Sequence, residues 1–119
     1  MAYQLNYFAN SFTAGKDLSA ITGPVFMMFD ATNRAVLCDQ THLPLGILEN
    51  APPLGDVAAV SYLGVTKVQV ANTYSAGTWL RSDATGIGVT CLADSTFARA
   101  ITLEDSSVAY DIVAVRLIN

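Results

Sequence analysis

One ten-residue pattern occurs twice in this chain, and it narrows the fold more than anything else in the sequence. FDATNRAVLC (Phe29 to Cys38) and SDATGIGVTC (Ser82 to Cys91) both read Asp-Ala-Thr, then a polar or glycine turn, then a short apolar run ending in cysteine. Asp30 and Asp83 are offset by 53 positions (83 − 30). The longer frames FMMFDATNRAVLCDQTHLPLGILEN and WLRSDATGIGVTCLADSTFARAITLED share an order: strand, turn, strand to cysteine, polar loop, strand ending in an acid. Two copies are too few for a solenoid. They suit a small β-barrel or sandwich assembled from two related strand–hairpin–strand units. Asp30 and Asp83 are then turn residues whose carboxylates bond to backbone two residues ahead, with Thr32 and Thr85 in support.

The rest of the chain agrees with an all-β fold. GPVFMMFD, AVLC, PLGILEN, TWLRS, IGVTCL, FARAITLE and VAYDIVAVRLI read as strands, and NTYSAG and EDSS as connections. APPLGD, with two prolines and a glycine, rules out both helix and central strand. From Ala58 the period is two, which puts Ala58, Val60, Tyr62, Gly64, Thr66, Val68 and Val70 on one face. Gly64 in the middle predicts a bend or bulge that turns a long strand through a corner. Only KDLSAI suggests a helical turn, with Asp17 as its cap.

At 119 residues the chain is of single-domain size, read as an N-terminal arm over 1–13 and one β-barrel domain over 14–119. Only 13% of its residues are charged, against about 25% in a typical soluble domain. Apolar residues make up 52%. The apolar runs are broken well before the roughly 18 residues of a membrane span. The start, MAYQLNYFAN, has no basic or apolar region of a signal peptide, so neither export nor a membrane is expected. A soluble chain with so few charges is expected to cover its surface with other subunits. The net charge is −4, and Lys16, Arg34, Lys67, Arg81, Arg99 and Arg116 are scattered. That distribution argues against direct nucleic-acid binding, which uses a basic stripe.

Candidate chemistry is sparse. A metal site could gather Cys38, Cys91 and His42 with Asp39 or Asp30, but no CxxC or HxxxH pair anchors it, and His42 is the only histidine. Pairing of Cys38 with Cys91 would need the hairpins to pack face to face; two buried small apolar side chains are the expectation instead. Asp30 and Asp83 could act as paired acids across a barrel mouth; a trimeric β-fold nucleotide pyrophosphatase is the nearest enzymatic analogy in size and fold. No basic group accompanies them to clamp a phosphate, and no GxxxxGK[ST] or GxGxxG motif is present. We therefore expect no enzyme, no catalytic residue, no cofactor and no metal. The aromatic start is more telling: Tyr3, Leu5 and Tyr7 alternate, followed by Phe8 and Phe12. This segment is either the first strand of the domain's own sheet or an arm that adds a strand to a neighbour. Aromatics suit contact with a shell or neighbour because each buries about 150–250 Å². Leu63 and Val65 on the long strand are candidates for subunit packing.

Taken in order, Pro44-Leu45-Gly46-Ile47-Leu48-Glu49-Asn50, Gly64-Val65-Thr66-Lys67-Val68, Ala76-Gly77-Thr78-Trp79-Leu80 and the alternating valines from Val108 to Leu117 resemble the capsid cement, or head decoration, proteins of tailed bacteriophages. The resemblance runs from Ala14 to the end and does not include the aromatic start. It implies a β-barrel that forms a homotrimer on the outer capsid surface of the virion, after synthesis in the host cytoplasm. There it would bridge subunits of the major capsid protein and stabilise the shell. Alternatives to this structural role are the pyrophosphatase-like enzyme above and another virion part, such as a head–tail or tail component.

Overall fold

The two repeated aspartates make the same turn. Asp30 Oδ1 accepts hydrogen bonds from the Thr32 N–H (2.8 Å), the Thr32 hydroxyl (2.8 Å) and the Arg34 N–H (3.0 Å). Asp83 Oδ1 accepts the matching bonds from Thr85 N–H (2.7 Å), the Thr85 hydroxyl (2.9 Å) and Ile87 N–H (3.0 Å). Each turn passes through one left-handed residue, Asn33 (φ 63°) in the first and Gly86 (φ 86°) in the second. Asn and Gly are the residues that adopt this conformation at least cost.

These turns close two hairpins in a computed structural model that describes residues 7–118. The strands are β1 (Tyr7–Thr13), β2 (Phe26–Phe29), β3 (Ala35–Leu37), β4 (Gly46–Leu48), β5 (Val57–Gln69), β6 (Trp79–Ser82), β7 (Gly88–Thr90), β8 (Ala100–Thr102) and β9 (Ile112–Leu117). The described residues contain no helix. KDLSAI, expected to hold a helical turn, forms a local turn in which Asp17 accepts from the Ser19 N–H (3.0 Å) and hydroxyl (2.6 Å). That side-chain closure competes with helix formation.

The sheet runs β3-β2-β4-β5-β9-β8-β6-β7, with β1 also paired to β5. All named strand pairs are antiparallel. Single parallel bridges, Ala14 to Ala35 and Val70 to Gly88, draw the outer strands back toward the ends of β1 and β5. The sheet therefore curls into two barrel-like halves that share the long strand β5.

The repeat extends far beyond the hairpins. β2–β3–β4 corresponds to β6–β7–β8, and the pairing of Phe26 with Ile47 matches that of Trp79 with Ile101. The pairing of β1 with the first half of β5 matches that of the second half of β5 with β9: Asn10 opposes Val60 as Thr66 opposes Val115. Backbone bonds repeat as well, for example Ala14 N–H to Asp56 O (2.8 Å) and Val70 N–H to Asp111 O (2.9 Å). The described part of the segment expected as an arm, Tyr7–Thr13, is thus the first unit's counterpart of the second half of β5. It pairs with β5 of its own chain.

Two cores follow. One holds Ala14, Leu18, Val25, Met27, Ala35, Leu48, Ala58 and Val60; the other holds Phe26, Cys38, Ile47, Val68, Val70, Leu80, Ala100, Val113, Val115 and Leu117. Successive residues of β2 and β4 enter different cores, Met27 and Leu48 one and Phe26 and Ile47 the other. These strands are the wall between the cores. That is why their sequences are continuously apolar, as strands buried on both faces must be. Along β5, Ala58 and Val60 serve the first core and Val68 and Val70 the second. The corner between them is made by Gly64 (φ 96°) and by a register slip that leaves Tyr62 unpaired with β1. The predicted corner is present at Gly64. Tyr62, which the period of two puts on one face with Ala58, Val60, Thr66, Val68 and Val70, is exposed while those five are buried.

Candidate interaction surface

The repeat places two equivalent corner loops before β5 and β9. In the first, Gly55 is left-handed (φ 83°), and in the second Tyr110 is (φ 63°). Asp56 N–H bonds to Pro53 O (3.1 Å) as Asp111 N–H bonds to Val108 O (3.3 Å). Both corners carry exposed apolar side chains: Leu54, Val57, Val108 and Tyr110 are between 58% and 61% exposed. Leu92 is exposed further, at 76%. Exposed apolar groups on loops are candidates for an interaction surface.

The aromatic and strand residues singled out above divide. Tyr3 and Leu5 lie outside the described residues. Tyr7 and Phe8 are in β1, where Tyr7 opposes Gly64 and Phe8 opposes Leu63. Phe12 packs against the first core, and its ring meets that of Phe29 edge-on at 5.1 Å. Leu63 is 47% exposed and Val65 half-buried, both at the corner of β5. Asp30 and Asp83 spend their carboxylates on their own turns. The backbone N–H of Arg34 and the Thr32 hydroxyl hold the Asp30 carboxyl below its ordinary value.

The constellation considered for a metal is only partly assembled. Asp39 Oδ1 lies 2.7 Å from His42 Nδ1, and that contact, with Thr41, holds the Asp39 carboxyl down at about 2. The Cys38 thiol turns away, donating to the Asp39 carbonyl at 3.2 Å, and burial pushes it up to about 11. Cys91 is free and half-buried. Among the described residues no three of His, Cys, Asp and Glu gather where they could hold a metal ion.

Two features escaped the sequence reading. Arg99 is buried in the seam between the two units. A groove of about 430 Å³ lies where the Ile21–Pro24 loop meets β4, β5 and the start of β9. Its wall carries Glu49, whose carboxyl accepts from the Thr66 hydroxyl at 3.0 and 3.2 Å. Desolvation raises the pKa of Glu49, opposed by the Ser61 and Thr66 hydroxyls. Ser61 Oγ is fully buried and makes no well-formed hydrogen bond, but it faces this carboxyl. The only sequence signal was that Glu49 ends an otherwise apolar strand.

A scan against protein-family models and a search of the curated proteins returned no match to this chain.

Proposed function

We propose that the chain is a structural interaction protein of a phage virion, binding the outer capsid surface as a homotrimer and bridging subunits of the major capsid protein. The observation that carries this reading is the duplicated apolar corner, Leu54 and Val57 at one and Val108 and Tyr110 at the other, on a chain with few charges. The ordered resemblance from Ala14 onward supplies the identity of the partner. The mechanism is burial of apolar area at about 25 cal/mol per Å², less the cost of association. Many copies on a repeating lattice then add avidity. Each aspartate turn ties Oδ1 of its carboxylate to its own backbone and threonine hydroxyl, the role of a turn residue, which weighs against the pyrophosphatase-like alternative.

Co-sedimentation of the purified chain with expanded phage shells tests the proposal. Saturable binding and a raised temperature of shell disruption are expected. No binding to any shell, with a monomeric mass by light scattering, would sink it.

A further inference from the structure

We propose that the outer wall of the second unit, a cross-strand row of Cys91, Trp79, Ile101 and Arg116, is covered by a second copy of this chain. The argument starts from the first unit, where the matching row is the seam inside the molecule. There the Cys38 N–H donates to the Phe26 carbonyl (3.0 Å), Phe26 opposes Ile47, and Ile47 opposes Ser61. All four of these residues are fully buried. Phe26, Cys38 and Ile47 belong to the second core, so the wall of the first unit is covered by the second. The second unit repeats the row bond for bond. The Cys91 N–H donates to the Trp79 carbonyl (2.9 Å), Trp79 opposes Ile101, and Ile101 opposes Arg116. Here the row is only partly covered: Cys91, Trp79 and Ile101 are half-buried, and Arg116 is exposed.

Continuity with the internal seam favours a second copy as the cover. In this fold such a wall is packed against a unit of the same architecture, and the first unit of another copy is one. Charge fits as well. The wall ends in Arg116, and its next row carries Arg81 where the covered counterpart has Met28. The exposed corner of the first unit sets Asp56 between Leu54 and Val57. An acid flanked by apolar side chains is complementary to a tryptophan–isoleucine pair flanked by arginines. Covering Trp79 also removes a large apolar area from water. A wall that meets a corner is a heterologous contact, the kind a trimer needs because it has no twofold axis. The inference deepens the homotrimer reading above and rests on it.

Trp79 is the chain's single tryptophan, so its fluorescence reports on the wall directly. Acrylamide quenching of Trp79 and alkylation of Cys91 by N-ethylmaleimide are followed on the full chain across a dilution series, with mass read by light scattering. Both should fall at least threefold as the mass rises from one copy to the assembled form. Cys38, fully buried, should stay unreactive throughout, which checks that the fold is intact. Arg116→Glu, at an exposed position, should weaken association at least threefold. A monomeric mass at every concentration overturns the proposal. So does association that leaves quenching and alkylation unchanged, or a change of less than threefold in Arg116→Glu. Protection of Trp79 that arises only on expanded shells, with the free chain monomeric, would assign the wall to the capsid protein and overturn the second copy alone. Shell binding itself is read by co-sedimentation, so the two failures are distinguishable.

Discussion

Arg99 donates a hydrogen bond from Nη2 to the carbonyl oxygen of Tyr62 at 2.5 Å, joining the second unit to the corner of β5. Tyr62 is the residue left over where the β1–β5 register slips, so its carbonyl loses a strand partner and takes a side chain instead. The same guanidinium donates to Pro44 O (3.0 Å), to Leu45 O (3.1 Å) and to Ile118 O. Arg99 is 6% exposed and forms no ion pair among the described residues. Carbonyl dipoles from both units solvate its charge, and burial lowers its pKa.

Arg99→Lys is therefore not conservative. An ammonium has three donors and no fork, so at least one buried carbonyl is orphaned, at about 1–3 kcal/mol each. We expect a loss of about 2–4 kcal/mol, read from the urea midpoint at unchanged slope. A loss below about 1 kcal/mol would mean that water replaces the guanidinium.

Glu49 gives a pH signature of defined sign. Its folded pKa is raised, so the folded state binds the proton more tightly than the unfolded chain. The stabilising effect of the proton is fully present below the unfolded value near 4.5 and is lost as pH rises through the folded value. Glu49→Gln removes that loss. The stability difference between variant and wild type should grow in the variant's favour from pH 4 to pH 7. The lowered carboxyls of Asp17, Asp30, Asp39 and Asp111 act in the opposite sense, losing stabilisation as pH falls, and cancel in the comparison. A difference that is flat with pH would refute the assignment.

The two turns separate torsion from space. Asn33 and Gly86 occupy equivalent left-handed positions, but a Cβ on Gly86 would lie 2.7 Å from the Phe26 carbonyl oxygen. That oxygen accepts from Cys38 N–H at 3.0 Å and cannot easily retreat. Gly86→Asn should cost about 1–3 kcal/mol through the clash, while Asn33→Gly should stay within about 1 kcal/mol. Equal costs in thermal melts would show that conformation, not crowding, selects glycine.

How much of this was legible depends on how local each cause is. The DAT turns were readable because every bond closes within five residues, and Gly64 announced the corner of β5 because only a flexible residue belongs inside so long a strand. The sharing of β5 by both units was hidden, since the pairing of Thr66 with Val115 joins residues 49 positions apart (115 − 66). FMMF reads as a strand, but nothing in it says that Phe26 and Met27 serve different cores. Arg99 looked like one more scattered surface charge, and Leu45 at the equivalent place in the first unit gave no hint of a buried cation. The groove at Glu49 is made by segments far apart in sequence, so no local motif marks it.

The equivalent loops carry the last prediction. Val57 and Ile112 open equivalent strands, and the apolar tips before them are exposed in both units. A trimer built from such chains presents the same contact twice per subunit, so each tip alone is weak and the pair is cooperative. Leu54→Ser with Val108→Ser and Tyr110→Asn tests this; asparagine is chosen because position 110 is left-handed, a conformation it tolerates. These side chains touch little of their own fold, so stability should change by no more than about 0.5 kcal/mol per site. Self-association measured by light scattering, and retention on shells, should both fall steeply. If the triple variant keeps the wild-type mass and shell binding, the corners are not the contact, and the exposed surface at Leu63 and Leu92 is the next to examine.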